Sequence, residues 1–137
     1  MSQIISIALY FLTGIICLLM AIKTLFAERL LPFHEQASGI SWDKLDKPLQ
    51  TVILTVIHIS GLGFLVVFLL LTIFPAVNYF VHDNFVTYSI PVISMIFCLG
   101  LFIFNYSLYK KTKAKTPWQG SLIALFTILI SLIISLL

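Results

Sequence analysis

Four long apolar runs, roughly residues 4–26, 49–74, 85–109 and 117–137, alternate with short polar connections. A hydrocarbon core about 30 Å thick takes about 20 helical residues at 1.5 Å each, so every run is long enough to cross it. The second exceeds what a perpendicular crossing needs, which predicts tilt or an overhang into water. Within each run, small and polar residues recur at helical spacing. The first carries Ser6, Tyr10, Thr13, Cys17, Met20 and Thr24, and the second Thr51, Thr55, His58 and Gly61. The third carries Pro91, Ser94, Cys98, Asn105 and Tyr109, and the fourth Gly120, Ala124, Thr127, Ser131 and Ser135. In lipid such stripes mark helix–helix contact, because they allow close approach and hydrogen bonding. The remaining faces are Ile, Leu, Val and Phe, which suit acyl chains. The pattern predicts one all-α domain over residues 1–137: an integral membrane antiparallel four-helix bundle. A partly amphipathic cytoplasmic loop joins its first two spans, and the short third loop makes the last two spans neighbours.

Local punctuation refines the ends. Thr116-Pro117-Trp118-Gln119 reads as a capping box with Pro at the first helical position. Pro48 suits the first turn of the second span and Pro75 its end, which leaves 75–84 as the connection. Pro91 falls inside the third span, where it removes the bond to Thr87 and predicts a kink. The first span is read as a retained helix and not a cleaved signal, since Met1-Ser2-Gln3 carries no basic side chain and no A-x-A site follows.

Composition changes the picture only by naming the solvent. With 61% hydrophobic and 9% charged residues, a 15.5 kDa chain cannot cover a water-facing surface with polar groups. Cys17 and Cys98 both lie inside apolar runs, which argues against a secreted disulfide framework. The placement of charge is more informative than its net value of +3. Lys23, Arg29, Lys44 and Lys47 flank or occupy the first loop, and Lys110, Lys111, Lys113 and Lys115 fill the third. The positive-inside rule then puts loops 1 and 3 in the cytoplasm and both termini outside. Trp42 and Trp118 fall at one interface and Tyr79 at the other. Heavy Ile, Phe and Lys usage hints at an AT-rich bacterial genome, so a bacterial inner membrane is the expected location.

Few residues carry chemistry. His34-Glu35 opens the sequence H-E-Q-A-S, which lacks the second His of a zinc-binding H-E-x-x-H helix. The plainer reading is a hydrated loop over the bundle mouth, with Phe33, Ile40, Trp42 and Leu45 at the interface. Ser41 is expected to cap a turn over Trp42–Asp46, and Gly39 to permit the bend before it. Alternatively, His34 and Glu35 bind a small ligand or a protein partner. His58, counted from Leu49, falls about 13 Å deep, near Cys17, Cys98 and Thr127 on the other spans. A Cys17–His58–Cys98 layer could hold a soft metal, while the plain alternative is a neutral histidine bonded across a helix interface. The three histidines cannot share a site, because His34 and His82 fall about 30 Å apart. Asn105 is expected to make an interhelical hydrogen bond. The stretch KKTKAK offers Lys110, Lys111, Lys113 and Lys115 to anionic headgroups; it is too short and too membrane-bound for nucleic acid.

Pro32-Phe33-His34, then Ala37, Gly39, Trp42 and Leu45, followed by Thr116-Pro117-Trp118, resemble the pattern of a group of small, uncharacterised four-span bacterial membrane proteins. The resemblance covers about a fifth of the chain and implies a recurring first loop of fixed shape. It implies no activity or catalytic residue. The chain does not resemble four-span glutathione-linked enzymes, and it lacks the C-x-x-C of the quinone-coupled disulfide-forming family. No catalytic set and no cofactor are predicted. The expected function is that of a non-catalytic subunit, assembly partner or ligand-binding module, with His34, Glu35, Trp42, His58 and Asn105 as candidate contacts. A homo-oligomer or another membrane protein is a candidate partner. Two alternatives stand beside it: a transporter or channel subunit with a polar path at His58, and an interfacial lipid- or quinone-modifying enzyme using His34 and Glu35.

Overall fold

The computed structural model describes residues 1–136, and the last residue of the fourth span, Leu137, lies outside the described residues. The described residues form five α-helices: α1 (Ser2–Leu25), α2 (Pro32–Ser38), α3 (Lys47–Val81), α4 (Asn84–Thr112) and α5 (Trp118–Ser135). One turn of 3-10 helix, Trp42–Lys44, stands between α2 and α3. Among the described residues there is no strand. Helices α1, α3, α4 and α5 are each long and apolar enough to cross a membrane. The short α2 lies where a loop is expected from sequence. Pro32 at its start and Gly39 after its end, in the left-handed conformation at φ 68°, supply a start and a stop within seven residues.

The long helices form a ring in which α1 and α4 each touch both α3 and α5, and α2 rests on α4. The buried core joins Tyr10 and Cys17 of α1, Val67 and Leu71 of α3, Cys98 of α4, and Ala124 and Ile128 of α5. Two glycines set the approach of α1 to α3. A Cβ at Gly14 would stand 2.7 Å from Thr72 Cγ2, and one at Gly61 would stand 2.7 Å from Thr24 Oγ1 and 3.0 Å from the Leu25 backbone nitrogen. A clasp joins α1 to α5: Ser6 Oγ donates to the Ser131 carbonyl and Ser131 Oγ to the Ser6 carbonyl, both at 2.7 Å.

Several local expectations need correction. Pro75 does not end α3, which continues to Val81. The next turn is held by Asn78, whose Oδ1 accepts the Asp83 N–H at 2.8 Å while its Nδ2 donates to Thr87 Oγ1 at 2.7 Å. Asp83 then caps α4 by accepting the N–H groups of Phe85 and Val86. The connection therefore shrinks to His82-Asp83. The capping box before α5 is absent: Pro117 holds the cap position, and the Thr116 hydroxyl donates to the Asn105 carbonyl of α4 at 2.9 Å. Thr51 and Thr55 are exposed, each donating to the carbonyl four residues back in its own helix. Gly120 is exposed as well. Of the expected stripes Gly61 in α3 and Ala124 and Ser131 in α5 are buried, and Ile57, Val67 and Leu71 of α3 and Ile128 of α5 complete the contact faces.

Candidate functional site

Residues 30–50 fold into a strap over one end of the ring, fixed by three polar ties. Glu35 Oε1 accepts the Trp42 N–H at 2.9 Å, which closes the chain back on α2. Gln50, in the first turn of α3, donates from Nε2 to the carbonyls of Trp42 at 3.0 Å and Leu45 at 3.1 Å. Gln36 Oε1 accepts the Lys115 N–H at 2.9 Å, tying α2 to the connection before α5. Inside the strap, Ser38 Oγ accepts the Ile40 N–H, and the Gly39 N–H reaches the Glu35 carbonyl at 2.9 Å. The expected Ser41 side-chain cap does not form; the Glu35 carboxylate satisfies the start of that turn instead.

Beside the strap lies an open apolar groove of about 550 Å³, part of whose lining, Leu49, Val52 and Val56, is exposed. Leu30, Ala37 and Leu45 of the strap, Ile53 and Ile57 of α3, and Leu108 of α4 provide its walls, with His34 at its side. The His34 ring lies 4.0 Å from that of Phe33, centroid to centroid, and is partly buried. Desolvation by that burial pulls its pKa below the ordinary histidine value. His34 is therefore biased toward its neutral form, which suits an apolar wall. Glu35 points elsewhere, since successive helical residues are about 100° apart, and its carboxylate is engaged by Trp42. His34, Glu35 and Trp42 thus meet in one strap, with His34 alone lining the cavity.

His58 and Asn105 stand apart from it. His58 Nε2 lies 3.0 Å from the Ala27 carbonyl, at the end of α1. The helix register explains the difference from the expected depth: with Gly61 against Thr24 and Gly14 against Thr72, α3 runs eleven residues from Lys47 before it meets the end of α1. Cys17 and Cys98 lie in the core with Val67, nine residues and about 13 Å further along α3. The Cys17–His58–Cys98 layer is therefore not assembled. Among the described residues, no three His, Cys, Asp or Glu side chains form a group that could hold a metal ion. The Asn105 side chain donates to the Leu101 carbonyl of its own helix at 2.9 Å and not across to a neighbouring helix, while its backbone carbonyl accepts from Thr116 in the connection before α5.

The basic end is ordered around aromatic rings. Trp118 stands 5.5 Å from Tyr106 and 6.0 Å from Tyr109, and the Lys113 ammonium lies 5.7 Å from the centre of Tyr109. Lys110 and Lys111 close the last turn of α4, two and three residues beyond the cavity residue Leu108. Lys44 and Lys47 bracket the cavity residue Leu45 on the opposite wall. Sequence reasoning passed over Gln36, Gln50 and the cavity walls. Isolated amides beside an apolar helix start were the available signal for the two glutamines. Comparison of the chain with protein-family models, with curated proteins and with solved structures finds no significant match.

Proposed function

We propose that this chain is a multi-pass protein of a bacterial inner membrane that binds the acyl chain of an anionic amphiphile beside its strap, without catalysing a reaction on it. The four long helices span the bilayer in antiparallel order, with loops 1 and 3 in the cytoplasm and both termini outside. The apolar exterior supports the membrane reading: Phe104, Phe80 and Ile96 are 76%, 81% and 65% exposed, which water would penalise and lipid would not. The contacts support the antiparallel order: from Gly14 to Thr24 along α1 the partners on α3 run backward from Thr72 to Gly61, and Ser6 near the start of α1 meets Ser131 near the end of α5.

This apolar space carries the functional reading. The groove offers about 550 Å³ of space open on one side, and its walls offer almost no polar partner. An apolar groove of this kind suits a hydrocarbon chain. Lys44, Lys47, Lys110 and Lys111 follow or precede wall residues in sequence, so an anionic headgroup at the mouth gains charge partners at about 1 kcal/mol for each lysine near the surface.

A brominated fatty acid tests the proposal. In a Trp118→Phe background, Trp42 is the only tryptophan and its fluorescence reports on the strap. Saturable quenching is expected, lost when Ala37→Phe and Ile53→Phe fill the cavity and about tenfold weaker for an uncharged brominated alcohol. Quenching that ignores the filling substitutions would refute the site. The topology has its own check, because thiols placed at positions 44 and 113 must label from the same face of the membrane.

A further inference from the structure

We infer that the opposite end of the ring holds a second binding site, which takes a neutral solute no larger than benzene bearing a hydroxyl or carboxamide group. A pocket of about 80 Å³ opens there among α1, α3, α4 and α5, roughly half of the ~150 Å³ that admits benzene. Its polar lining comes mainly from Gln3, Tyr10, Asn78, Thr87 and Ser135. The Tyr10 side chain is 4% exposed, and its hydroxyl makes no well-formed hydrogen bond; its polar neighbours are the hydroxyls of Ser6, Ser131 and Ser135, each of which already donates to a backbone carbonyl. Leaving a buried hydroxyl unpaired is costly, and native structures pair nearly all such groups. The Tyr10 oxygen therefore lacks a donor, which a solute in the pocket can supply.

Two prolines make a similar provision in the backbone. Pro75 of α3 and Pro91 of α4 both line the pocket, although they lie sixteen residues apart in sequence. Having no N–H, Pro91 leaves the Thr87 carbonyl without its helical donor, and Thr87 is itself part of the wall. Pro75 does the same to the Leu71 carbonyl, which is buried in the core one turn deeper and outside the pocket lining. Asn78 commits Oδ1 to Asp83 and one N–H to Thr87, so its second N–H is left over. Gln3 presents a whole carboxamide at the mouth.

The chemistry of these groups selects the solute. Amides and hydroxyls both donate and accept, and backbone carbonyls accept. No Asp, Glu, Lys, Arg or His lines the pocket, so an ion entering it would lose hydration without gaining a countercharge. A neutral hydroxyl or carboxamide exchanges its water bonds one for one, while Ile7, Ile90 and the two proline rings contact its carbon skeleton.

The whole chain in lipid nanodiscs, with tyrosine 13C-labelled at the ring carbon bearing the hydroxyl, provides the test. The Tyr10 signal is identified by its disappearance in Tyr10→Phe. Titration with glycerol or acetamide is expected to move that signal saturably, and methylammonium or acetate at equal concentration is expected not to. Ile7→Trp, which fills the pocket, should abolish the movement. Gln3→Leu alters only an exposed side chain at the mouth, so it folds normally and should weaken the response severalfold. A response linear in solute, shared by the ions, or intact in both the Ile7 and Gln3 variants would overturn the inference and leave water as the only occupant.

Discussion

Substituting Gly61 by alanine tests the register on which both ends of the ring depend. The added methyl would stand 2.7 Å from Thr24 Oγ1, 2.8 Å from Leu25 Cγ and 3.0 Å from the Leu25 backbone nitrogen. The two side-chain atoms can swing away, but the backbone nitrogen moves only if α1 itself retreats. Overpacking of this kind costs about 1–3 kcal/mol. Alanine also returns up to about 1 kcal/mol of helix propensity, so the net loss is about 0–2 kcal/mol. Gly100 and Gly120 supply internal controls. A Cβ at either meets nothing within 4 Å, so only the propensity gain applies and both variants should be unchanged or more stable. Gly14→Ala should fall between, because its one close contact is the Thr72 methyl. Unfolding from detergent micelles into dodecyl sulfate, followed by circular dichroism, would rank the four. Equal stability of Gly61→Ala and Gly100→Ala would refute the close approach of α1 to α3, and with it the position assigned to His58.

Other outcomes follow from individual contacts. A double-mutant cycle of Ser6→Ala and Ser131→Ala should show a coupling of about 0.6–1.7 kcal/mol, and additive effects would mean the clasp is not formed. Gln50→Ala removes both ties to the 3-10 turn, so amide exchange over residues 41–46 should accelerate while that of 60–72 is unchanged; a uniform change would contradict a separable strap. Because burial depresses the His34 pKa, the undocked strap binds a proton more readily than the docked one. Docking is unaffected above the ordinary histidine value and weakens as pH falls below it toward the depressed one, so tryptic cleavage at Lys44 should rise on acidification. His34→Leu should flatten that dependence, and an unaltered pH profile would assign it to another group.

Hydropathy alone made the four long helices legible, because a run of more than twenty apolar residues has few other solutions. Their extents were harder to read. Pro75 looked like a terminator, yet one lost backbone bond is tolerated where apolar residues continue to Val81 and Asn78 closes the turn. The stripes were half right for a specific reason. A threonine on a helix can satisfy its hydroxyl on the carbonyl four residues back, as Thr51, Thr55 and Thr127 do, so its polarity says nothing about its neighbours. Ser6, Gly61 and Ser131 do mark contact, through a bond or an approach no larger residue permits. For the site, His34 and Glu35 were visible as the polar pair of an apolar chain. Their division of labour was not visible, since it depends on Trp42 returning to α2. The cavity itself left no local signal, because its walls are mostly ordinary aliphatic residues drawn from the strap, α3 and α4.

Unequal helix lengths explain why a cavity forms at that end. Helix α3, at 35 residues, is about 52 Å long, while α1, at 24, reaches about 36 Å. The glycine contacts fix α1 against the later part of α3, so the surplus emerges at one end as residues 47–57. Along that overhang Leu49 and Ile53 have lost the neighbour that α1 provides elsewhere. On its other flank α4 continues to Thr112, so Leu108 faces the same space. The chain must cover this apolar trough with what lies between α1 and α3, and it uses α2, only seven residues and about 10 Å long. A cover that short bridges the trough without filling it. Long side chains throughout the strap would have closed the gap, but between His34 and Ile40 its wall residues are the small Ala37 and Ser38. The three ties at Glu35, Gln36 and Gln50 hold the cover at a fixed height, so the space persists as an open groove and does not collapse. The binding capacity proposed for this end is thus a consequence of register: moving α1 toward Lys47 would fill the trough and leave the strap nothing to border.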